Sequence, residues 1–305
     1  MDKIKKPSLL VLGGTGFIGY HLMIKAKKYG WQITSLSKHK PKKYRYIKGV
    51  NYLTVDINNL NILKKKIKKS FDYVVNSGGY GSHFPFHKGG KNIFETHFFG
   101  MLNIIKVIKR KKLKKFIQIG TSEEYGKISA PQKENLVDVP NTPYAIAKLS
   151  CTEFLKILYK KEKFPFVVLR LFLVYGPKQE NNRILPQIIR GCLKNKKFKT
   201  SSGFQKRDFC YIDDVIKAVF LSLKSKKATG KVFNIGTGKP LKVKNVVKTI
   251  CKLVGKGKPQ FGKIKLRKNE NMSLYPSVKE AKKVLKWKAK VKFFKGINYT
   301  INSYK

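Results

Sequence analysis

Four apolar residues, Leu9 to Leu12, run unbroken into Gly13, and beyond them Phe17, Ile18, His21, Leu22, Ile24 and Ala26 fall on one helical stripe that stops at Gly30. An uninterrupted apolar run is what a strand covered on both faces requires, and the wider period after it predicts a helix. The same exchange of periods recurs down the chain. Strands are predicted at 31–37, 52–55, 71–75 and 116–119, with helices over 58–69, 92–110 and from Tyr144 onward. Strands alternating with helices predict an α/β fold, a doubly wound parallel sheet with helices on both faces. The most apolar stretch, 164–175, is broken by Arg170 and is too short to span a bilayer.

Ligands of such a sheet sit at the carboxyl ends of its strands. The first of those ends carries Gly13, Gly16 and Gly19, three residues apart. Gly13 permits the sharp turn, Gly16 lets the backbone approach a pyrophosphate, and Gly19 lets helix and strand close up. With Phe17 and Ile18 they open a helix whose free N–H groups favour phosphate, so this turn is a candidate dinucleotide site. Glycine-rich turns also arise for steric reasons alone. The second strand ends Ser35-Leu36-Ser37-Lys38-His39-Lys40 without an acid to bind a ribose 2′-hydroxyl. Ser37 and Lys38 therefore favour NADP(H), with NAD(H) possible. Asp56 and Ile57 close the third strand where an adenine would lie, although Asp56 also suits the N-cap of the next helix. Ser77, before Gly78 and Gly79, marks a further close approach to the cofactor. His83 and His87 share a loop with no carboxylate or cysteine at ligand spacing, so no metal site is expected.

The 305 residues hold 68 Lys and Arg against 16 Asp and Glu, a net charge of +52. That excess alone suggests a polyanion partner. The lysines are spread along the whole chain, however, arginine is scarce, and no nucleic-acid module is present. The reading is a solvated lysine-rich surface with no specific nucleic-acid partner, and with nonspecific, salt-sensitive adhesion to polyanions. Residues 1–6 lead straight into the first strand, so no signal peptide and no membrane insertion are expected. Cys151, Cys192, Cys210 and Cys251 are scattered without a CxxC pair, as for reduced thiols in a cytoplasm.

Tyr144 and Lys148 lie four apart on one helical face, a pair that many helices carry by chance. In combination the motifs are far more specific. Gly13-x-x-Gly16-x-x-Gly19, Thr121-Ser122-Glu123 and Tyr144-x-x-x-Lys148 together resemble the extended short-chain dehydrogenase/reductases of the nucleotide-sugar epimerase/dehydratase family. The stretches 170–177, 207–215 and 233–238 extend the resemblance over nearly the whole chain. It implies a Rossmann domain over 1–172 and a smaller sugar-nucleotide-binding lobe over 173–305, partly interwoven with the first. It implies Tyr144 as proton carrier, its pKa drawn toward neutrality by Lys148 and an oxidised nicotinamide. Lys148 would also hold the nicotinamide ribose, Thr121 the reacting sugar oxygen, and Arg207 the substrate diphosphate, unless Arg207 is merely paired with Asp208. Ser122, Arg183 and Tyr144 complete the substrate contacts.

Relatives share hydride transfer at sugar C4 and differ in the later steps. Glu123 stands at the acid/base position of the 4,6-dehydratases, whereas Glu123-Glu124-Tyr125-Gly126 is equally similar to 4-ketosugar reductases; Glu124 by itself reads as a solvated or helix-capping acid. Chain length, the resemblance of the second half to another 4-ketosugar reductase and the NADP-like strand end favour reduction of a nucleotide-linked 4-keto-6-deoxysugar. A 4-epimerase or 4,6-dehydratase with retained NAD is the alternative, and a noncatalytic nucleic-acid-binding Rossmann protein a distant one. Leu173 and His97 depart from asparagines common in the family. The resemblance also implies a homodimer that pairs two helices per subunit, the Tyr144 helix among them.

Overall fold

Leu9 and Val11 are buried on one side of the first strand and Leu10 and Leu12 on the other. Both faces of that strand are therefore covered, which is why its apolar run has no polar alternation. The computed structural model describes residues 6–82, 84–266 and 270–305. Strand β1 (Ser8–Leu12) leads through the glycine turn into α1 (Phe17–Lys28) and β2 (Gln32–Ser37); β3 (Asn51–Thr54), α2 (Leu60–Lys66) and β4 (Tyr73–Asn76) come next. Helices α3 (Gly90–Phe94) and α4 (Gly100–Val107) are joined by a π-helical stretch, Glu95–Phe99. Then come β5 (Lys115–Thr121), α5 (Pro143–Glu162) and β6 (Phe166–Leu171). The rest comprises β7 (Leu173–Tyr175), α6 (Ile184–Leu193), β8 (Lys197–Lys199), β9 (Lys206–Arg207), β10 (Phe209–Tyr211), α7 (Ile212–Lys224), β11 (Lys231–Ile235), β12 (Leu241–Lys242), α8 (Val243–Val254), β13 (Lys258–Gln260), β14 (Ser273–Leu274), α9 (Lys279–Leu285) and α10 (Phe293–Asn302).

Seven parallel strands form the main sheet in the order β11-β6-β5-β4-β1-β2-β3. The expected doubly wound α/β fold is borne out. The order reverses between β1 and β4, and in open α/β sheets such a switch point is where a ligand crevice lies over the carboxyl ends of the strands. Outside this sheet β7 pairs with β10, β9 with β12 and β14, and β8 with β13. β11 returns to the main sheet beside β6, so the later part of the chain is threaded through the earlier part.

Two expectations need correction. The helix expected over 58–69 is shorter, and its N-cap is Asn59, whose side chain accepts from the Ile62 N–H at 3.0 Å, not Asp56. The helix expected over 92–110 is interrupted by the π-helical stretch and ends at Val107. Neither change alters the order of elements. His83 and residues 1–5 lie outside the described residues. His87 is exposed, and among the described residues no group of three or more metal-ligating side chains occurs. The four cysteines are free thiols, with the Cys192 and Cys251 sulfurs 3.4 Å apart. Among the described residues no helix is long and apolar enough to cross a membrane.

At the opposite edge of the sheet, Asp72 joins β1 to β4. Its carboxylate accepts from the Ser8 N–H at 2.9 Å and the Ser8 hydroxyl at 2.7 Å, and it pairs with Lys114 at 3.2 Å. Burial pushes its pKa up, but the Ser8 bonds and Lys114 outweigh burial and hold it at about 2. A depressed carboxyl stabilises the fold above its unfolded pKa, and that stabilisation is lost as pH falls through the folded value. Asp72→Asn should therefore cost ~2 kcal/mol of unfolding free energy near neutrality. Chemical denaturation as a function of pH should show the gap to wild type closing between about pH 4 and pH 2.

Candidate active site

The glycine turn is shaped by close backbone approach. Gly13 has φ +72°, and a Cβ there would lie 2.6 Å from the Gly78 Cα; one on Gly19 would lie 2.4 Å from the Gly13 carbonyl oxygen. The turn after β4 and the start of α1 thus both press on Gly13, and neither tolerates a side chain. Gly16 differs: a Cβ there would meet only the Gly13 oxygen, at 3.2 Å. Gly16 is the N-cap of α1 and supplies no side-chain cap, and the first turn carries no acid. The N–H groups of Phe17, Ile18 and Gly19 at this uncapped, glycine-walled end suit a pyrophosphate, so these residues fit a dinucleotide.

At the end of β2 the Ser37 hydroxyl accepts from the Thr15 N–H at 3.3 Å. Lys38, assigned from sequence to a 2′-phosphate, pairs instead with Asp56 at 2.8 Å. Each shifts the other's pKa toward its charged form, chiefly through their hydrogen bond. Ile57 packs against Gly100, and the Ser77 hydroxyl donates to the Leu12 carbonyl at 2.8 Å, tying β4 to β1. Sequence reasoning missed Arg45. Its buried guanidinium donates to the Thr15 carbonyl at 3.2 Å and to Glu180 at 2.7 Å, which clasps the glycine turn to the segment after β7.

β5 delivers Thr121 to the carboxyl edge, and α5 rises beside it with Thr142 as N-cap, accepting from the Ala145 N–H at 3.1 Å. Lys148 is 4 % exposed and donates to the Ile119 carbonyl at 2.6 Å, so its ammonium is fixed on the end of β5. Burial lowers its pKa. Tyr144 differs from expectation: its phenol is not drawn toward neutrality by the protein's own charges but pushed well above its ordinary range. Burial is the main cause and the Glu123 charge the next, with the Thr121 hydroxyl and Arg183 pulling the other way. Thr121, Glu123 and Arg183 thereby act on Tyr144, and Lys148 stands one helical turn further along α5. Ser122 is buried in the turn after β5.

Beneath that locus lies a buried charge cluster. Glu124 is 0 % exposed and accepts from the Thr121 N–H, the Thr152 hydroxyl and Arg170 Nε, each at 2.8 Å. Arg170 donates both terminal nitrogens to Asp138, at 3.0 and 2.6 Å, and stacks on Tyr125 at 4.6 Å. Glu124 is therefore a helix-capping acid, one of the two roles its sequence context allows, but it is not solvated. Its role was hinted at by the charge of Arg170 inside an apolar run, while nothing singled out Asp138. Arg183 is the exposed N-cap of α6. Arg207 is half-buried on β9 and pairs with Glu270, not with Asp208. Asp208 is buried and accepts from the Thr237 N–H at 2.7 Å. Leu173 is half-buried on β7.

The profile described as "NAD dependent epimerase/dehydratase family" matches residues 9–236. A dTDP-D-glucose 4,6-dehydratase from Mus musculus is 27 % identical over 97 % of this chain and 88 % of its own. The chain spans 63 % of a dTDP-D-glucose 4,6-dehydratase from Dictyostelium discoideum, at 28 % identity. Among solved structures, UDP-glucose 4-epimerase from Thermotoga maritima with UDP-glucose superposes with TM-score 0.91 at 25 % identity, covering 97 % of this chain and 98 % of that one. UDP-glucuronic acid 4-epimerase from Bacillus cereus, in complex with UDP-glucuronic acid and NAD, gives 0.88 at 26 %, with the same coverage.

Removing Arg170 would strand two carboxylates, one of them fully buried. Arg170→Met should lower unfolding free energy by about 3–5 kcal/mol in a denaturant titration. Loss of less than about 1 kcal/mol would show that the cluster does not hold this region together.

Proposed function

This chain belongs to the NAD dependent epimerase/dehydratase family and is an enzyme of that family, and from that premise we propose that it reduces the C4 ketone of a nucleotide-linked 4-keto-6-deoxysugar with NADPH. The observation that carries this reading is the hydrogen bond between the Tyr144 phenol and the Thr121 hydroxyl at the carboxyl edge of β5. Burial and the neighbouring Glu123 charge keep the phenol protonated, which suits a group that must give a proton to an oxygen gaining negative charge. Tyr144 donates to the C4 oxygen as that oxygen becomes an alkoxide, and the Thr121 hydroxyl orients the same oxygen. Lys148, braced on the Ile119 carbonyl, places a cation beneath the phenol as it turns to phenolate. When bound, the reduced nicotinamide supplies the hydride. Gly13, Gly16, Phe17, Ile18 and Gly19 hold its pyrophosphate. No acid stands at the end of β2, and Lys38 would exchange Asp56 for a 2′-phosphate beside Ser37. Arg183 and Arg207 serve the substrate's phosphates, Arg207 by exchanging Glu270 for the ligand.

A second reading has its own support: Glu123 acts on the electrostatics of Tyr144, where an acid/base carboxylate would complete a 4,6-dehydration with retained NAD. The two separate in one assay. Reduction consumes NADPH in proportion to ketosugar, whereas internal recycling leaves NADPH untouched and yields protein that purifies with NAD bound. Tyr144→Phe should lower kcat by about 10²–10⁴-fold with little change in cofactor affinity. Wild-type turnover in that variant would remove Tyr144 from the mechanism.

The four free thiols suit action in a reducing cytoplasm. A homodimer through α4 and α5 is supported by apolar side chains standing exposed there, Ile157 at 61 % and Ile146 at 44 %, with Phe99 at 49 % just before α4. Ile157→Asp should shift the sedimenting species from dimer to monomer; an unchanged dimer would place the interface elsewhere.

A further inference from the structure

The π-helical stretch Glu95–Phe99 has His97 at its centre, 5 % exposed. A π turn widens the helical repeat and puts side chains and carbonyls where a regular helix would not, often at functional sites. Here it brings three contacts onto one residue. The imidazole packs edge-on against the Tyr144 ring, centroids 5.1 Å apart and planes at 67°. Its Nε2 lies 3.1 Å from the Tyr80 carbonyl oxygen. Its own carbonyl accepts from Cys151 Sγ at 3.3 Å. Tyr144, Lys148 and Cys151 share one face of α5, so a single residue grips that face on either side of Lys148.

The turn after β4 is moulded onto the same ring. Gly79 has φ +88°, and a Cβ there would lie 2.2 Å from the imidazole Cε1 and 2.7 Å from both ring nitrogens. Two residues on, a Cβ at Gly81 would lie 3.5 Å from the Tyr144 Cζ. Imidazole, glycine turn and phenol ring therefore form one packed unit at the rim of the crevice.

We propose that His97 is a positioning residue: a neutral imidazole, protonated on Nε2, that locks the Tyr144 ring to the Gly79–Gly81 turn and fixes the height of the phenol over the crevice. The inference rests on the reading of Tyr144 as proton carrier. A carbonyl only accepts, so the Tyr80 contact requires the proton on Nε2 and leaves Nδ1 bare. The ring stays uncharged because burial disfavours the imidazolium and the Lys148 ammonium repels it, against the pull of the Tyr80 carbonyl; its pKa is pushed down to about 3. Tyr144 and Cys151, the other titratable groups against it, are both shifted toward their neutral forms by burial.

The chain has 5 histidines, few enough for ¹⁵N-histidine NMR on the intact wild-type protein. One ring, assigned by its loss in His97→Phe, should show the Nε2–H tautomer with shifts constant from about pH 5 to about pH 8. A ring titrating near about pH 6.5, or an Nδ1–H tautomer, would overturn the proposal. This arm needs no substrate, so it stays readable if the proposed reaction fails. In the kinetic arm His97→Phe keeps ring volume but loses the bond to Tyr80, while His97→Asn keeps a donor but loses the ring. Each should lower kcat by about tenfold or more with KM within about twofold. A His97→Phe protein with wild-type kcat would show that the imidazole only fills space.

Discussion

A carboxylate buried with its partners holds this site together. Glu124 sits at the junction of β5, β6 and α5, and its two oxygens are divided among a backbone N–H of β5, a hydroxyl of α5 and the guanidinium of β6. Taking an ion pair out of water costs several kcal/mol per charge, so such a cluster persists only when every donor and acceptor is met. Here they are met from three elements at once, and Asp138 completes the fork of Arg170 from the loop ahead of α5. The consequence is geometric: Thr121 and the helix that carries Tyr144 and Lys148 are referred to the same buried point. The hydroxyl, phenol and ammonium can then keep a fixed relation although they come from different parts of the chain.

The cofactor side is organised by steric exclusion rather than charge. Gly13 has the turn after β4 against one flank and the start of α1 against the other, at separations that leave no room for a methyl group. That compression brings the carboxyl ends of β1 and β4 together at the switch point, and it sets the open N-terminus of α1 at the mouth of the crevice. Both sides of the site thus rest on contacts too close to be adjusted residue by residue.

The first five strands were legible because burial on both faces leaves an unmistakable apolar run, and because the glycine turn fixed where the first strand ends. What could not be read came from packing between segments far apart in the chain. The π-helical stretch has no periodicity signal: 92–110 reads as one helix, and the contact of His97 with the Tyr144 ring joins segments far apart in the chain. The N-cap at Asn59 lay beyond reach because Asp56 is an equally good acceptor, and it does accept from the Asn58 N–H at 3.0 Å, one residue ahead of the true cap. The phenol of Tyr144 was expected to be drawn toward neutrality by Lys148 and an oxidised nicotinamide; burial and Glu123, which the motif does not show, push it the other way. Arg207 met a carboxylate from a segment 63 residues away, not its neighbour Asp208. In each case the motif located the residue, and a distant partner set its state.

The lysine excess is informative once the acids are placed. With 16 acids against 68 basic residues, carboxylates are sparse, and several of them occupy positions where a negative charge is bound by structure. Asp72 bridges β1 and β4, Asp208 anchors the turn after β11, and Asp214 accepts from the Lys290 and Val291 N–H groups ahead of α10. Glu134 accepts from the Asn234 N–H of β11, and Glu180 completes the clasp of Arg45. An exposed position tolerates lysine because its stem lies on the surface and its head stays in water; a buried acceptor between several N–H donors does not tolerate it at all. The bias toward lysine has therefore acted where burial does not decide the residue. Glu123 is then of particular interest, because it supplies negative charge beside the phenol in a chain with few acids. Its charge disfavours the phenolate of Tyr144, and it stands where the carboxylate of the proposed alternative, a 4,6-dehydration, would make a second proton transfer.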